Sequence, residues 1–120
     1  MKKVLYVLTN DPRERIELVS SVIAQGITAL SFGYESDVFL MDKAVEMARK
    51  GYIEGLSSVS FSPLHELLGS YLELEGKVYV CAPSAKARNL DPADCIHGIT
   101  EFVDAARLIV QSKDATVFTY

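Results

Sequence analysis

Apolar positions along the chain fall into two rhythms. Residues 3–8 (Lys3-Val4-Leu5-Tyr6-Val7-Leu8) form a short, almost wholly apolar run. Such a run predicts a strand covered on both faces. Asp11-Pro12-Arg13-Glu14 then carries the marks of a helix start, with Asp as cap and Pro in the first turn. Ile16, Val19, Ser20, Ile23, Ile27 and Leu30 recur near the helical period, and Gly33 is placed to end that helix. Residues 37–41 predict a second buried strand. Asp42 is placed to cap a helix over 43–50, with Gly51 at its left-handed end.

Residues 52–61 show no period and hold Gly55 and several serines, which predicts a loop. Ser62-Pro63 opens a helix carrying Leu64, Leu67, Leu68, Tyr71 and Leu72 on one side, and Gly76 ends it. Residues 77–81 predict a third strand. A helical turn over 84–87 and a second short turn from Asp91-Pro92 to Cys95 follow. Residues 98–101 predict a short fourth strand, 102–112 a helix and 115–119 a fifth strand.

Strands alternating with helices predict one α/β domain over residues 1–120, in three layers. Its sheet is expected to be five-stranded, mostly parallel and flavodoxin-like, in the order 2-1-3-4-5. Ligand sites in such sheets lie at the carboxyl ends of the strands, at the switch point. That order puts the switch point between strands 1 and 3, where Thr9-Asn10-Asp11 and Cys81 would meet.

Composition narrows the chemistry. Of the 120 residues 49% are hydrophobic and 23% charged, which suits a globular chain with a real core. The net charge of −4 argues against nucleic acid as a direct partner. No apolar run approaches a membrane span, and the five apolar residues after Lys3 are too few for a signal-peptide core. The expected location is the cytoplasm, with no membrane partner. Two cysteines without a CxxC and two scattered histidines make no zinc pattern, so no metal is expected and both thiols should be free.

Cys81 is the one candidate reactive atom. It ends a strand-like run and precedes Pro83, Ser84, Lys86 and Arg88. A helix start and nearby cations favour the thiolate, lowering a thiol from its free value of about 8.5. The bland alternative is a buried structural cysteine. Lys86 and Arg88 can equally be solvated surface residues, His65 a helix-surface residue, and Asn10 and Asp11 turn residues. Tyr6, Tyr79 and Phe118 read most simply as core. Cys95 and His97 suggest a second Cys/His pair. A phosphatase loop requires five residues between Cys and Arg, and here six separate Cys81 from Arg88. There is also no P-loop, no GxGxxG and no GxSxG elbow. A receiver-type phospho-acceptor is missing because strand 3 ends in Cys.

Taken in order, four stretches resemble the DsrE/DsrF-like proteins, which include the TusD-type subunits of sulfur relays. They are Lys3-Val4-Leu5-Tyr6-Val7-Leu8-Thr9-Asn10 and Val38-Phe39-Leu40-Met41-Asp42 with Val45. The others are Lys77-Val78-Tyr79-Val80-Cys81 with Ala85-Lys86-Ala87-Arg88-Asn89-Leu90, and Ala115-Thr116-Val117-Phe118. The resemblance implies a persulfide carrier or sulfurtransferase in which Cys81 accepts a sulfur from a donor protein and passes it to an acceptor protein. Thr9, Asn10, Ser84, Lys86 and Arg88 are the candidate substrate-binding residues around it. The resemblance further implies homo-oligomers or mixed hexamers, and it requires no metal or organic cofactor. Some relatives carry a second cysteine soon after the first, where this chain has Ser84, so a local disulfide would need Cys95 to fold back. From another class, the sequence also fits a non-catalytic oligomeric module that binds a small molecule at the same crevice, or a structural subunit with an inert Cys81.

Overall fold

Five strands do form, and all of them are parallel. The computed structural model describes residues 2–120. In chain order its elements are β1 (Lys3–Leu8), α1 (Ile16–Ser31), β2 (Glu35–Leu40), a 3-10 helix (Asp42–Ala48) and α2 (Leu64–Glu73). Then come β3 (Lys77–Cys81), α3 (Ala82–Ala87), a 3-10 turn (Pro92–Asp94), β4 (Glu101–Val103), α4 (Ala105–Ser112) and β5 (Thr116–Thr119).

The sheet order is β4-β3-β2-β1-β5, not 2-1-3-4-5. The central strand is therefore β2, and it separates β1 from β3. Periodicity tells a strand from a helix but does not name its neighbours. Contacts far apart in sequence decide them. Phe118 of β5 stacks on Tyr6 of β1, with ring centroids 5.8 Å apart and planes at 20°. Tyr120 N–H donates to the Val7 carbonyl at 2.8 Å, which seats the last strand beside the first. β2 is buried from Ser36 through Leu40, so both its faces are covered.

The order also explains the layers. From β1 to β4 each step moves the same way across the sheet, and β5 then returns to the far side of β1. Right-handed crossovers put the early helices on one face and send α4 across the other. Side-chain parity agrees. Tyr6, Val38 and Val78 are in register on one face, and Tyr6 shares a cavity with Ala24 and Gln25 of α1. Val7, Phe39 and Tyr79 are in register on the other, where Arg107 of α4 lies over the Tyr79 ring at 5.4 Å. Tyr71 of α2 clamps the first layer. Its hydroxyl lies 3.0 Å from the carbonyls of both Ser36 and Lys77. Gly76 must be glycine for that clamp, because a Cβ there would stand 2.5 Å from the Tyr71 ring.

Several boundaries differ from the sequence reading. Asp11-Pro12 begins a separate turn, in which Asp11 Oδ1 accepts from Arg13 N–H at 2.8 Å, and α1 starts only at Ile16. Residues 42–48 form a 3-10 helix whose buried Ala44 and Met47 are three apart, matching three residues per turn. Asp42 does not cap it by its side chain. Asp104 caps α4 by accepting from Arg107 N–H at 3.3 Å, which moves β4 to 101–103 and shortens the helix.

Candidate functional site around Cys81

Parallel register brings the strand ends to one rim. Leu8 pairs with Leu40, and Leu40 with Val80, so β1, β2 and β3 finish nearly level. Cys81 is the last residue of β3 and the cap residue of α3, with φ −65° and ψ 113°. It pairs with Val103 of β4, and its residue surface is 7% exposed. The predicted strand-to-helix junction is therefore present. However, α3 has only six residues, so little macrodipole is available and direct contacts dominate.

Those contacts come from α3 and from the end of β2. Ser84 hydroxyl donates to Cys81 Sγ at 3.3 Å. The same Ser84 oxygen accepts the backbone N–H of Asp42 at 2.9 Å. Asp42 holds a left-handed backbone, φ +51°, a region where Asp is several-fold enriched among non-glycine residues. Its carboxylate receives Arg88 Nη2 at 2.7 Å, and Arg88 Nη1 donates to the Ser84 carbonyl at 3.2 Å. Arg49 Nη2 in turn donates to the Arg88 carbonyl at 3.0 Å. The result is a tied ring: strand end, first helical turn, left-handed corner and guanidinium clamp.

Sequence reasoning did not single out Asp42 or Arg49 for this site. Asp42 reads as a helix cap from its position after a strand. Its N–H and carboxylate instead meet Ser84 and Arg88, which lie more than forty residues away. Arg88 faces Asp42 and the Ser84 carbonyl rather than the sulfur. Lys86 is exposed.

Thr9 and Asn10 stand elsewhere on the rim. With β2 between β1 and β3, two inter-strand spacings of about 4.8 Å separate them from the Cys81 strand. The switch point of the observed order lies between β1 and β5. There Thr9 N–H and Oγ1 both donate to the Tyr120 carbonyl, at 2.7 and 3.0 Å. The expected crevice joining Thr9, Asn10 and Cys81 is thus not formed in this topology. Asp11 instead accepts the Tyr52 hydroxyl at 2.8 Å, under an Arg13 guanidinium 3.9 Å from the Tyr52 ring centroid. Burial and the Asp11 bond push the Tyr52 phenol up to about 12.

Cys95 and His97 line a separate cavity of about 540 Å³ with Phe102. Cys95 Sγ donates to the Asp91 carbonyl at 3.6 Å. Burial, then the Asp94 carboxylate, push its thiol pKa up. His97 and His65 are exposed. Among the described residues no group of three or more His, Cys, Asp or Glu could hold a metal ion, and no helix is long and apolar enough to cross a membrane.

Comparison with known proteins gives a consistent result. The profile of the DsrE/DsrF-like family matches residues 2–120. An uncharacterised protein of Methanocaldococcus jannaschii, MJ0989, is 30% identical over 119 residues, covering 97% of this chain and 99% of that protein. Among solved structures, the YchN protein from E. coli superposes with a TM-score of 0.80 at 20% identity, over 100% of both chains. MTH1491, a protein of unknown function from Methanobacterium thermoautotrophicum, gives 0.74 at 15% identity, again over 100% of both chains. At these identities the structural likeness speaks for the fold alone.

Proposed function

Because the chain belongs to the DsrE/DsrF-like family, we propose that it is a cytoplasmic sulfur carrier that holds a persulfide on Cys81. The supporting observation is the placement of Cys81 at the end of β3 with a hydroxyl donor 3.3 Å from its sulfur. In the loading step the Cys81 thiolate attacks the terminal sulfur of a donor persulfide. A new S–S bond forms to Cys81, the donor's S–S bond breaks, and the donor sulfur leaves as a thiolate. In unloading, an acceptor thiolate attacks the outer sulfur and Cys81 Sγ takes back the electron pair. Electrons balance in both steps, so neither an oxidant nor an organic cofactor is needed.

The donor and acceptor are proteins presenting a persulfide and a thiol. Ile109 and Val110 of α4, and Val117 and Phe118 of β5, are exposed apolar residues. Exposed apolar side chains on α4 and on the edge strand β5 support self-association as the assembled state.

The test is mass spectrometry after incubation with inorganic polysulfide. One or more added sulfur atoms should map to Cys81, vanish on reduction with dithiothreitol, and be absent in Cys81→Ser. A folded protein in which polysulfide leaves Cys81 unmodified would sink the carrier reading. The alternative, a non-catalytic small-molecule-binding module, draws on one observation. A cavity of about 400 Å³ lies between α1 and β1, floored by Tyr6 and Phe118. Ligand-dependent stabilisation that Tyr6→Ala removes, with an unreactive Cys81, would favour it.

A further inference from the structure

The ring around Cys81 has a direction. A serine hydroxyl carries one proton and two acceptor lone pairs. Asp42 N–H occupies one lone pair of Ser84 Oγ at 2.9 Å. The Ser84 proton can then point to Cys81 Sγ, 3.3 Å away. When the sulfur is a neutral thiol, its own S–H is a weak donor that competes for this short gap. When it is a thiolate, only the serine can donate. The hydrogen bond is therefore stronger in the charged state, and a bond of that kind favours ionisation.

The neighbouring charges reinforce the point. Asp42 carboxylate and Arg88 guanidinium are 2.7 Å apart. They pair with one another, and the group in direct contact with the sulfur is the Ser84 hydroxyl. The other guanidinium of the ring, Arg49, is spent on the Arg88 carbonyl and on Glu46.

We infer that Ser84 is a catalytic hydroxyl that stabilises the Cys81 thiolate, and that Asp42 is a positioning residue that aims it through a left-handed backbone N–H. In loading, Ser84 raises the fraction of attacking thiolate. In unloading, it stabilises Cys81 Sγ as the leaving group when the outer sulfur departs. Asp42 contributes its backbone rather than its carboxylate to this task. The side chain's part is to be held by Arg88, which keeps the corner at φ +51°. The catalytic consequence rests on the carrier reading, whereas the effect on the thiol does not.

The experiment measures the iodoacetamide alkylation rate of Cys81 against pH, in a Cys95→Ser background so that one thiol reports. Sulfur loading from polysulfide is followed separately. Ser84→Ala should move the alkylation midpoint to higher pH, lowering the rate at neutral pH roughly three- to tenfold. Asp42→Val, a β-branched residue poorly tolerated at positive φ, should move it the same way, and Asp42→Gly should restore most of the loss because glycine keeps both the N–H and the backbone. In the Ser84→Ala background Asp42→Val should add little, since groups acting through one another are not additive. Circular dichroism checks that each variant is folded. A folded Ser84→Ala with an unchanged midpoint would overturn the role of Ser84. An Asp42→Val shift of full size in the Ser84→Ala background would overturn the positioning role. If the midpoint moves as expected but no variant, nor the parent, takes up sulfur, the ring stands and the carrier reading falls.

Discussion

Cys81 and Cys95 are equally buried, each 7% exposed, yet their sulfurs are used in opposite ways. Cys81 Sγ accepts a hydrogen bond from Ser84, and Cys95 Sγ donates one to the Asp91 carbonyl. Cys81 ends a strand paired on both edges. Cys95 closes a three-residue 3-10 turn and pairs with Arg49 in an isolated antiparallel bridge. Burial, then the Asp94 carboxylate, push the Cys95 thiol pKa up, and the Asp91 carbonyl gives its proton an acceptor. Burial alone therefore does not distinguish the two thiols; the sense of the hydrogen bond does.

The largest effect should come from removing one sulfur at a time. Cys81→Ser should abolish sulfur uptake from polysulfide, and Cys95→Ser should leave it within about twofold of the parent. Equal loss in both variants, read by mass, would erase the contrast between the two thiols.

Next in size is a change in the scaffold that keeps them apart. Leu40 is fully buried beside Val80. Leu40→Ala should cost about 2–5 kcal/mol and lower the melting temperature by roughly 10 °C or more. Labelling should then reach both cysteines through unfolding and become less selective. Selectivity that survives such destabilisation would mean it is a local property of each loop.

Arg49 connects the two regions, through its side chain to the Arg88 carbonyl and Glu46 and through its backbone to Cys95. Arg49→Ala should cost about 1–2 kcal/mol in chemical denaturation. It should also move Cys95 alkylation to higher pH, because Arg49 is one of the charges that oppose the upward push there.

The smallest effect is on stability against pH. A thiol held neutral in the fold, with its pKa raised, binds a proton that the unfolded chain releases earlier. Its contribution is therefore complete below the ordinary thiol value of about 8.5 and is lost as pH rises from there through the folded value. Cys95→Ala should flatten the decline of stability over that alkaline range, as measured by urea unfolding at several pH values. An unchanged slope would show that Cys95 is not held as a neutral thiol.

The local rhythm of the chain was enough to place most elements. The apolar run at residues 3–8, the helical spacing from Ile16 to Leu30 and the strand ending at Cys81 all stand where their patterns put them. Weaker patterns slipped. Asp104 caps α4 later than the apolar run suggests, and the Asp11-Pro12 turn stops short of α1. The site was legible at its centre, in Cys81 and Ser84. Its frame was not, because Asp42 and Arg49 reach it through bonds spanning about forty residues.

By itself the sequence determined the alternation of strands and helices that implies a mostly parallel α/β domain, and a thiol at a strand-to-helix junction, since both are read from patterns within a few residues. The tertiary structure alone decided the strand order. That order removed the expected crevice between β1 and β3 and put Asp42, rather than Asn10, beside Cys81. The physical reason is that strand pairing is chosen by long-range contacts such as Tyr6 on Phe118. An apolar strand advertises its need to be covered but carries no mark of which strands will cover it.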